Sequence, residues 1–215
     1  MIKILPSIAS ADPLRLWTEI ERIAPIGRLH IDIEDGNFVD NITFGKKTVE
    51  SIANNFNGEL DVHLMVTSPE SYLNWLAEAG VKAVCAHLEA LTYPKRFLAR
   101  ARSLGMRAGL AINLKVRPEE LESYSDAMDY VLVMTSEPDW SNQTFFNCAT
   151  RRVAHVRKLL PHDVQIWCDG GITPERLEEL SLAGMDVAVM GRAIFGAENP
   201  MAAIAEYEKI MGVRE

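Results

Sequence analysis

Eight short runs of apolar, mostly branched residues alternate with eight amphipathic stretches of helical period, and few architectures accommodate that order. The strand patterns cover residues 2–7, 28–33, 60–66, 83–87, 107–113, 130–134, 165–169 and 187–190. The helical patterns cover 13–24, 46–55, 69–79, 94–104, 118–125, 147–160, 174–183 and 200–210. Asp12, Ser68, Thr173 and Asn199 each stand directly before a proline at a helix start, as a capping residue does. Gly80, Gly105 and Gly184 follow helices where a left-handed cap is expected. Spread over 215 residues, the repeat is about 27 residues per unit, which suits a single (β/α)8 TIM barrel forming one domain over 1–215. An open doubly wound sheet is disfavoured. No GxGxxG follows the first strand, and several strands carry a polar face where such a sheet packs apolar helices on both sides.

The polar faces are the informative part. In Leu29-His30-Ile31-Asp32-Ile33-Glu34, residues alternate strictly, so His30, Asp32 and Glu34 share one side of a strand. In Asp61-Val62-His63-Leu64-Met65-Val66 the same alternation puts Asp61, His63 and Met65 together, and Gln165-Ile166-Trp167-Cys168-Asp169 ends on Asp169 before a glycine pair. In a barrel these second faces point inward, and the C-terminal strand ends converge at the mouth where barrel enzymes keep their chemistry. Two imidazoles and two carboxylates, His30, Asp32, His63 and Asp169, suit a divalent ion such as Zn, Fe(II), Mn or Co, and suit Ca poorly.

A formal net charge of −8 argues against a nucleic-acid partner, though not against a small phosphorylated ligand gripped by backbone N–H groups and one arginine. Three cysteines, Cys85, Cys148 and Cys168, are too few and too scattered for a disulfide framework or a CxxC metal site, and are expected to be reduced packing residues. The N-terminal residues enter a strand pattern without a signal-peptide core, and no apolar run approaches membrane-spanning length. A cytoplasmic protein without a membrane partner, assembled as a homo-oligomer, is the expectation.

Five blocks carry a resemblance. Pro6-Ser7-Ile8-Ala9-Ser10-Ala11-Asp12, His30 through Val39, Asn41-Ile42-Thr43-Phe44-Gly45, Asp61 through Val66, and Asp169-Gly170-Gly171-Ile172 together resemble the ribulose-phosphate 3-epimerase family, in order and over nearly the whole chain. The Asp-Ile-Glu-Asp variant and Thr135-Ser136-Glu137-Pro138-Asp139 are closer to a divergent branch of sugar-phosphate epimerases. The resemblance implies that His30, Asp32, His63 and Asp169 hold one divalent metal ion, with Asp32 and Asp169 as the acid–base pair. It also implies Ser7 near the substrate and Met65 and Met134 against the reacting carbons. Its chemistry would be metal-dependent inversion of the C3 carbinol of a phosphorylated ketose, ribulose 5-phosphate or a related pentulose or hexulose phosphate, through a cis-enediolate. Inversion needs one group to take a proton from one face and another to return it to the opposite face, hence two carboxylates. A metal acting as Lewis acid makes so weak a carbon acid accessible.

Barrel phosphate sites sit after strands seven and eight, where Gly170, Gly171, Gly191 and Arg192 lie. Two features depart from the family. The loop after strand six is typically Pro-Gly-Phe-Gly-Gly-Gln, and here it reads Pro138-Asp139-Trp140-Ser141-Asn142-Gln143, with Ser141 and Asn142 as remaining hydrogen-bond donors. Glu34 stands where the family usually has a methionine, and could meet a substrate hydroxyl, meet the metal, or turn to solvent.

Other polar residues are expected to do less. Asp61 should be a deeper hydrogen-bond partner, His87 and Glu89 should stand behind the ligands, and Asn113 should lie on the rim. His155 and His162 are read as surface, Trp17 and Trp75 as packing. A barrel decarboxylase would carry Asp-x-Lys-x-x-Asp on strand three, where this chain has His63 and Val66, and no strand end offers the lysine of a Schiff-base aldolase. Another barrel lyase and a non-catalytic sugar-phosphate-binding barrel are the competing readings.

Overall fold

The computed structural model describes residues 3–138 and 144–211. Eight strands, β1 (Lys3–Pro6), β2 (Arg28–Glu34), β3 (Glu59–Met65), β4 (Ala83–His87), β5 (Arg107–Ile112), β6 (Tyr130–Met134), β7 (Gln165–Asp169) and β8 (Val187–Met190), make one parallel sheet. Its order is β1-β8-β7-β6-β5-β4-β3-β2, and a parallel bridge between Ser7 and His30 joins the two outermost strands. The result is the expected (β/α)8 TIM barrel.

Around it lie α1 (Leu16–Ile23), α2 (Lys46–Asn55), α3 (Leu73–Glu78), α4 (Pro94–Ser103), α5 (Ala149–Leu159), α6 (Pro174–Leu182), α7 (Arg192–Phe195) and α8 (Pro200–Met211). The stretch 118–125, expected as a helix, is instead a 3-10 turn over Pro118–Tyr124. Pro118, Leu121 and Tyr124, the residues it turns to the core, are spaced every three residues, a period that a 3-10 turn keeps on one face. Residues 13–15 and 69–72 are likewise 3-10, leading into α1 and α3. The four-residue α7 has no counterpart among the sequence patterns. Asp12 and Asn199 cap through their side chains, accepting from Leu14 N at 3.0 Å and Ala202 N at 3.1 Å, whereas Ser68 and Thr173 make no capping bond. Gly80, Gly105 and Gly184 adopt φ of 86°, 84° and 110°, as left-handed helix ends require.

Strand parity divides the core in two. Outward residues such as Ile31, Val62, Val84, Leu110, Val131 and Ile166 are fully buried beneath the helices. Inward residues fill the barrel in layers, with Leu5, Cys85, Ala111, Tyr130, Trp167 and Val187 among its apolar filling. Near the bottom Tyr130 stacks on Trp167, centroids 4.1 Å apart, and the Arg107 guanidinium lies 5.6 and 5.8 Å from the two ring centres. Gly109 makes that stack possible, because a Cβ there would stand 2.6 Å from Tyr130 ring atoms. Gly109→Ala is therefore expected to cost about 1–3 kcal/mol of stability by overpacking, read from the denaturant midpoint; an unchanged midpoint would show that the ring can move aside.

Cys85 and Cys168 are buried, and burial pushes both thiols up, out of the range of a reactive thiolate. Trp75 packs against the core, but Trp17 is 41% exposed on α1 and is not the packing residue expected, since its position falls off the buried face formed by Ile20 and Ile23. Among the described residues no helix is long and apolar enough to cross a membrane.

Candidate active site

Register brings the polar inward faces to one point. Asp32 on β2 is directly beside His63 on β3, and Met134 on β6 beside Asp169 on β7. The ligand atoms of His30, Asp32, His63 and Asp169 all lie within 4.8 Å of one another. His30 and His63 are fully buried and Asp32 nearly so, while the Asp169 side chain keeps 15% of its surface open toward the mouth.

Each imidazole turns a definite edge to the carboxylates. His30 Nε2 is 3.2 Å from Asp32 Oδ1 and 3.9 Å from Asp169 Oδ2, and its Nδ1 is hydrogen-bonded to Asp61 one layer deeper. His63 Nδ1 is 3.2 Å from Asp32 Oδ1 and 3.6 Å from Asp169 Oδ2. Asp32 divides its oxygens, with Oδ1 toward the histidines and Oδ2 accepting from Ser7 Oγ at 2.6 Å. Burial disfavours charge here, but His30 and His63 outweigh it and hold the Asp32 carboxyl far below the usual carboxylate range. Burial likewise would lower His30, yet Asp61 and Asp32 keep it well above its ordinary value.

Above this cluster opens a cavity of about 920 Å³. Ser7, Asp32, Glu34, Met65, Met134 and Asp169 line its floor and walls, and Gly170, Gly171, Gly191 and Arg192 line one side. Ser141 and Asn142 fall outside the described residues. Two of the glycines are required sterically. At Gly170, where φ is 107°, a Cβ would stand 2.4 Å from Ser136 Oγ and 3.0 Å from Ser136 N; at Gly191 it would stand 2.2 Å from Ser10 Oγ.

Glu34 does not turn to solvent. It is buried in the cavity wall, where Asn41 Nδ2 donates to its Oε2 at 2.7 Å. Nor does it join the four-residue cluster. Asn41 and Thr43 are cavity residues that strand periodicity does not reveal. Thr43 Oγ1 donates to the Asp32 carbonyl at 2.5 Å and lies 3.0 Å from the Glu34 N–H, which donates to it. The only sequence signal for them was their place in the Asn41–Gly45 block. The loop carrying them is anchored at Asp35, which accepts from the N–H groups of Asn37, Phe38 and Thr67 and from Thr67 Oγ1. These donors outweigh the small cost of burial and hold the Asp35 carboxyl at about 2.

Asp61 takes the deeper supporting position expected of it, and His87 touches His63 rather than the large cavity. His87, Glu89 and Asn113 line a smaller neighbouring cavity of about 270 Å³.

The donor set suits a divalent ion of the zinc or first-row transition type. Two imidazole nitrogens and two carboxylate oxygens converge without a competing lysine or arginine among them, and one histidine is already oriented by a carboxylate behind it, the usual companion of a metal-bound imidazole.

The family model described as "Ribulose-phosphate 3 epimerase family" matches residues 3–195. A ribulose-phosphate 3-epimerase of Schizosaccharomyces pombe is 35% identical over 203 residues, covering 92% of this chain and 89% of that protein. That of Bacillus subtilis is 34% identical over 212 residues, covering 96% and 98%. A rice protein named as the cytoplasmic isoform is 35% identical over 213 residues, covering 96% and 93%. Among solved structures, orotidine 5'-phosphate decarboxylase from Pyrococcus horikoshii superposes with a TM-score of 0.70 over 98% of this chain and all of that one; at 13% identity this likeness concerns the fold alone. With the model matched from the first strand to beyond the last, and relatives aligned along nearly their full length, the chain belongs to the ribulose-phosphate 3-epimerase family.

Proposed function

We propose that the protein epimerises a phosphorylated ketose at C3, with Asp32 and Asp169 exchanging protons with the two faces of the carbinol carbon. The observation that carries this is the cluster itself: two carboxylates and two imidazoles drawn from β2, β3 and β7, at the floor of a cavity in a barrel of this family. His30, Asp32, His63 and Asp169 would hold a divalent cation, which supplies Lewis-acid stabilisation of the negative charge that builds on the ketose oxygens.

The remaining work falls to the chain. One aspartate takes the C3 proton, the C–H electron pair moves into the C2–C3 bond, and the carbonyl oxygen gains the charge of an enediolate. The other aspartate, protonated, returns its proton to C3 from the opposite face. Substrate and product have the same composition, and the two carboxyls finish with their protonation exchanged, ready for the reverse reaction. Ser7 orients Asp32 by its hydrogen bond. Met65 and Met134 give an apolar lining beside the reacting carbons that excludes water. Gly170, Gly171, Gly191 and Arg192 would receive the phosphate, with backbone N–H groups and one guanidinium.

The test is isotopic. In D₂O, ribulose 5-phosphate and related pentulose and hexulose phosphates are incubated with the metal-supplemented protein and followed by NMR. The expected result is deuterium at C3 together with the C3 epimer for at least one of them. A sugar-phosphate-binding barrel without activity would leave every substrate unlabelled, and a lyase would release a fragment or CO₂ instead.

Glu34 is the group expected to choose among these ketoses, because Asn41 holds its carboxylate in the cavity wall. Glu34→Met should change the ratio of kcat/KM for ribulose 5-phosphate to that for the other ketose phosphates by about 10-fold or more, as the loss of a buried hydrogen bond does. Equal losses on all ketoses would instead make Glu34 part of the machinery.

A further inference from the structure

Behind His63, on the side away from Asp32 and Asp169, stands a second imidazole. His87, the last residue of β4, is only 3% exposed. Its ring stacks on that of His63 with centroids 5.0 Å apart, and Phe38 packs against it at 4.9 Å. His63 Nε2 and His87 Nε2 are 2.9 Å apart. Two neutral imidazole nitrogens at that distance share one proton, so one is the donor and the other must be bare. At the other edge of the His87 ring, Nδ1 has no hydrogen-bond partner among the described residues, and the charge it faces is Glu89 Oε2 at 3.6 Å.

We propose that His87 and Glu89 are positioning residues that set the tautomer of His63, keeping its Nδ1 bare and able to bind a divalent cation. The inference rests on the reading of His63 as a metal ligand given above. For neutral rings only two proton arrangements satisfy the contact between the histidines. In the first, His63 carries its proton on Nε2 and donates it to His87. His63 Nδ1 then turns a lone pair toward Asp32 and Asp169, and His87, protonated on Nδ1, points a positive N–H at Glu89. In the second, His87 donates from Nε2. Its Nδ1 then turns a lone pair toward the Glu89 carboxylate, and His63 is protonated on Nδ1 and closed to metal. A buried lone pair set against a carboxylate is poorly screened. At His63 Nδ1 a cation held by Asp32 and Asp169 would offset that repulsion, whereas His87 Nδ1 faces the Glu89 carboxylate with no other partner among the described residues, so in the metal-loaded site the first arrangement prevails. No proton crosses from Glu89 to the substrate; the pair acts only by deciding which nitrogen of His63 is available. His30 reaches the same end by a shorter route, with Asp61 directly on its Nδ1.

Three variants of the full chain test this: His87→Gln, which keeps an acceptor oxygen for His63 Nε2; His87→Phe, which keeps a ring against Phe38 but accepts nothing; and Glu89→Gln, which removes the charge. Affinities for Zn²⁺ and Co²⁺ are measured by competition with a chromophoric chelator. His87→Phe should weaken both by about 10–100-fold, Glu89→Gln should weaken both by a smaller factor, and His87→Gln should recover most of what phenylalanine loses. In the Zn²⁺-loaded unaltered protein, ¹⁵N NMR of the histidine rings should find His87 protonated on Nδ1 and bare on Nε2. A folded His87→Phe that binds both metals as tightly as the unaltered chain overturns the proposal. So does an ¹⁵N spectrum with His87 protonated on Nε2, which decides the matter even when the variants fail to fold. Failure of the unaltered chain to bind any divalent metal would remove the metal reading itself and this inference with it, a result distinct from tight binding that ignores position 87.

Discussion

Asp32→Asn and Asp169→Asn are each expected to slow inversion at C3 by about 10²–10⁴-fold, the contribution of a well-placed acid or base. Either substitution suffices because the reaction needs a proton removed on one face and supplied on the other, and asparagine does neither. The shape of the site should survive. An amide at position 32 can still accept from Ser7 Oγ through its oxygen, and neither residue belongs to the apolar filling of the barrel. The two losses should differ in kind. With one aspartate left, the protein can still take a proton from its own face and put it back, so each variant should exchange C3–H for deuterium in only one of the two epimers, and in opposite ones. Metal content must be measured alongside, since both residues also belong to the ligand cluster. Inversion within tenfold of the unaltered rate in either variant, with metal bound, would end the two-base scheme.

Why His30, Asp32, His63 and Asp169 could be grouped from sequence, and Asn41 and Thr43 could not be added to them, has a physical reason. A strand repeats every two residues, so the company of Asp32 with His30, and of His63 with Asp61, is written in local alternation. Once the order of elements implies a barrel, those faces must turn inward and meet. The neighbours of Asp32 and His63 in the register then follow from closure rather than from local preference. Asn41 and Thr43 lie on an irregular loop, where no period says which way a side chain points. Their positions depend on Asp35 gathering N–H groups from both that loop and the turn after β3. His87 was legible as an inward residue of β4, but its contact with His63 depends on a ring orientation that no pattern encodes. The short α7 escaped because four residues are too few for periodicity to register, whereas over Pro118–Tyr124 the three-residue spacing of Pro118, Leu121 and Tyr124 fits a 3-10 turn as well as a helix. Glu34 shows the limit from the other side. Parity placed it on the inward face, yet only the bond from Asn41 decides that it stays in the cavity wall.

Removing divalent metal with a chelator should abolish turnover and should also reverse how the protein responds to pH. In the metal-free site burial opposes charge on the imidazoles, but Asp61 and Asp32 hold His30 well above its ordinary value, and Asp169 and Asp32 raise His63. A histidine whose value is higher in the folded chain than in the unfolded one adds stability fully below its unfolded value, near pH 6.5, and that stability is lost as pH rises through the raised folded value. The chelated protein should therefore melt at progressively lower temperature as pH is taken upward from about 6.5, because Asp32 and Asp169 are left facing each other without protons between them. The metal-loaded protein should not follow that trend, since the cation replaces the protons as the positive charge at the centre. The same exchange predicts that metal binding expels protons. With both histidines protonated beforehand, apparent affinity should rise by up to about a hundredfold per pH unit until the raised values are passed, and level off above them. Thermal unfolding of chelated and Zn²⁺-loaded protein across this range, with metal affinity at each pH, reads both effects. Parallel melting trends with and without metal, or an affinity indifferent to pH, would mean that His30 and His63 are not where the cation binds.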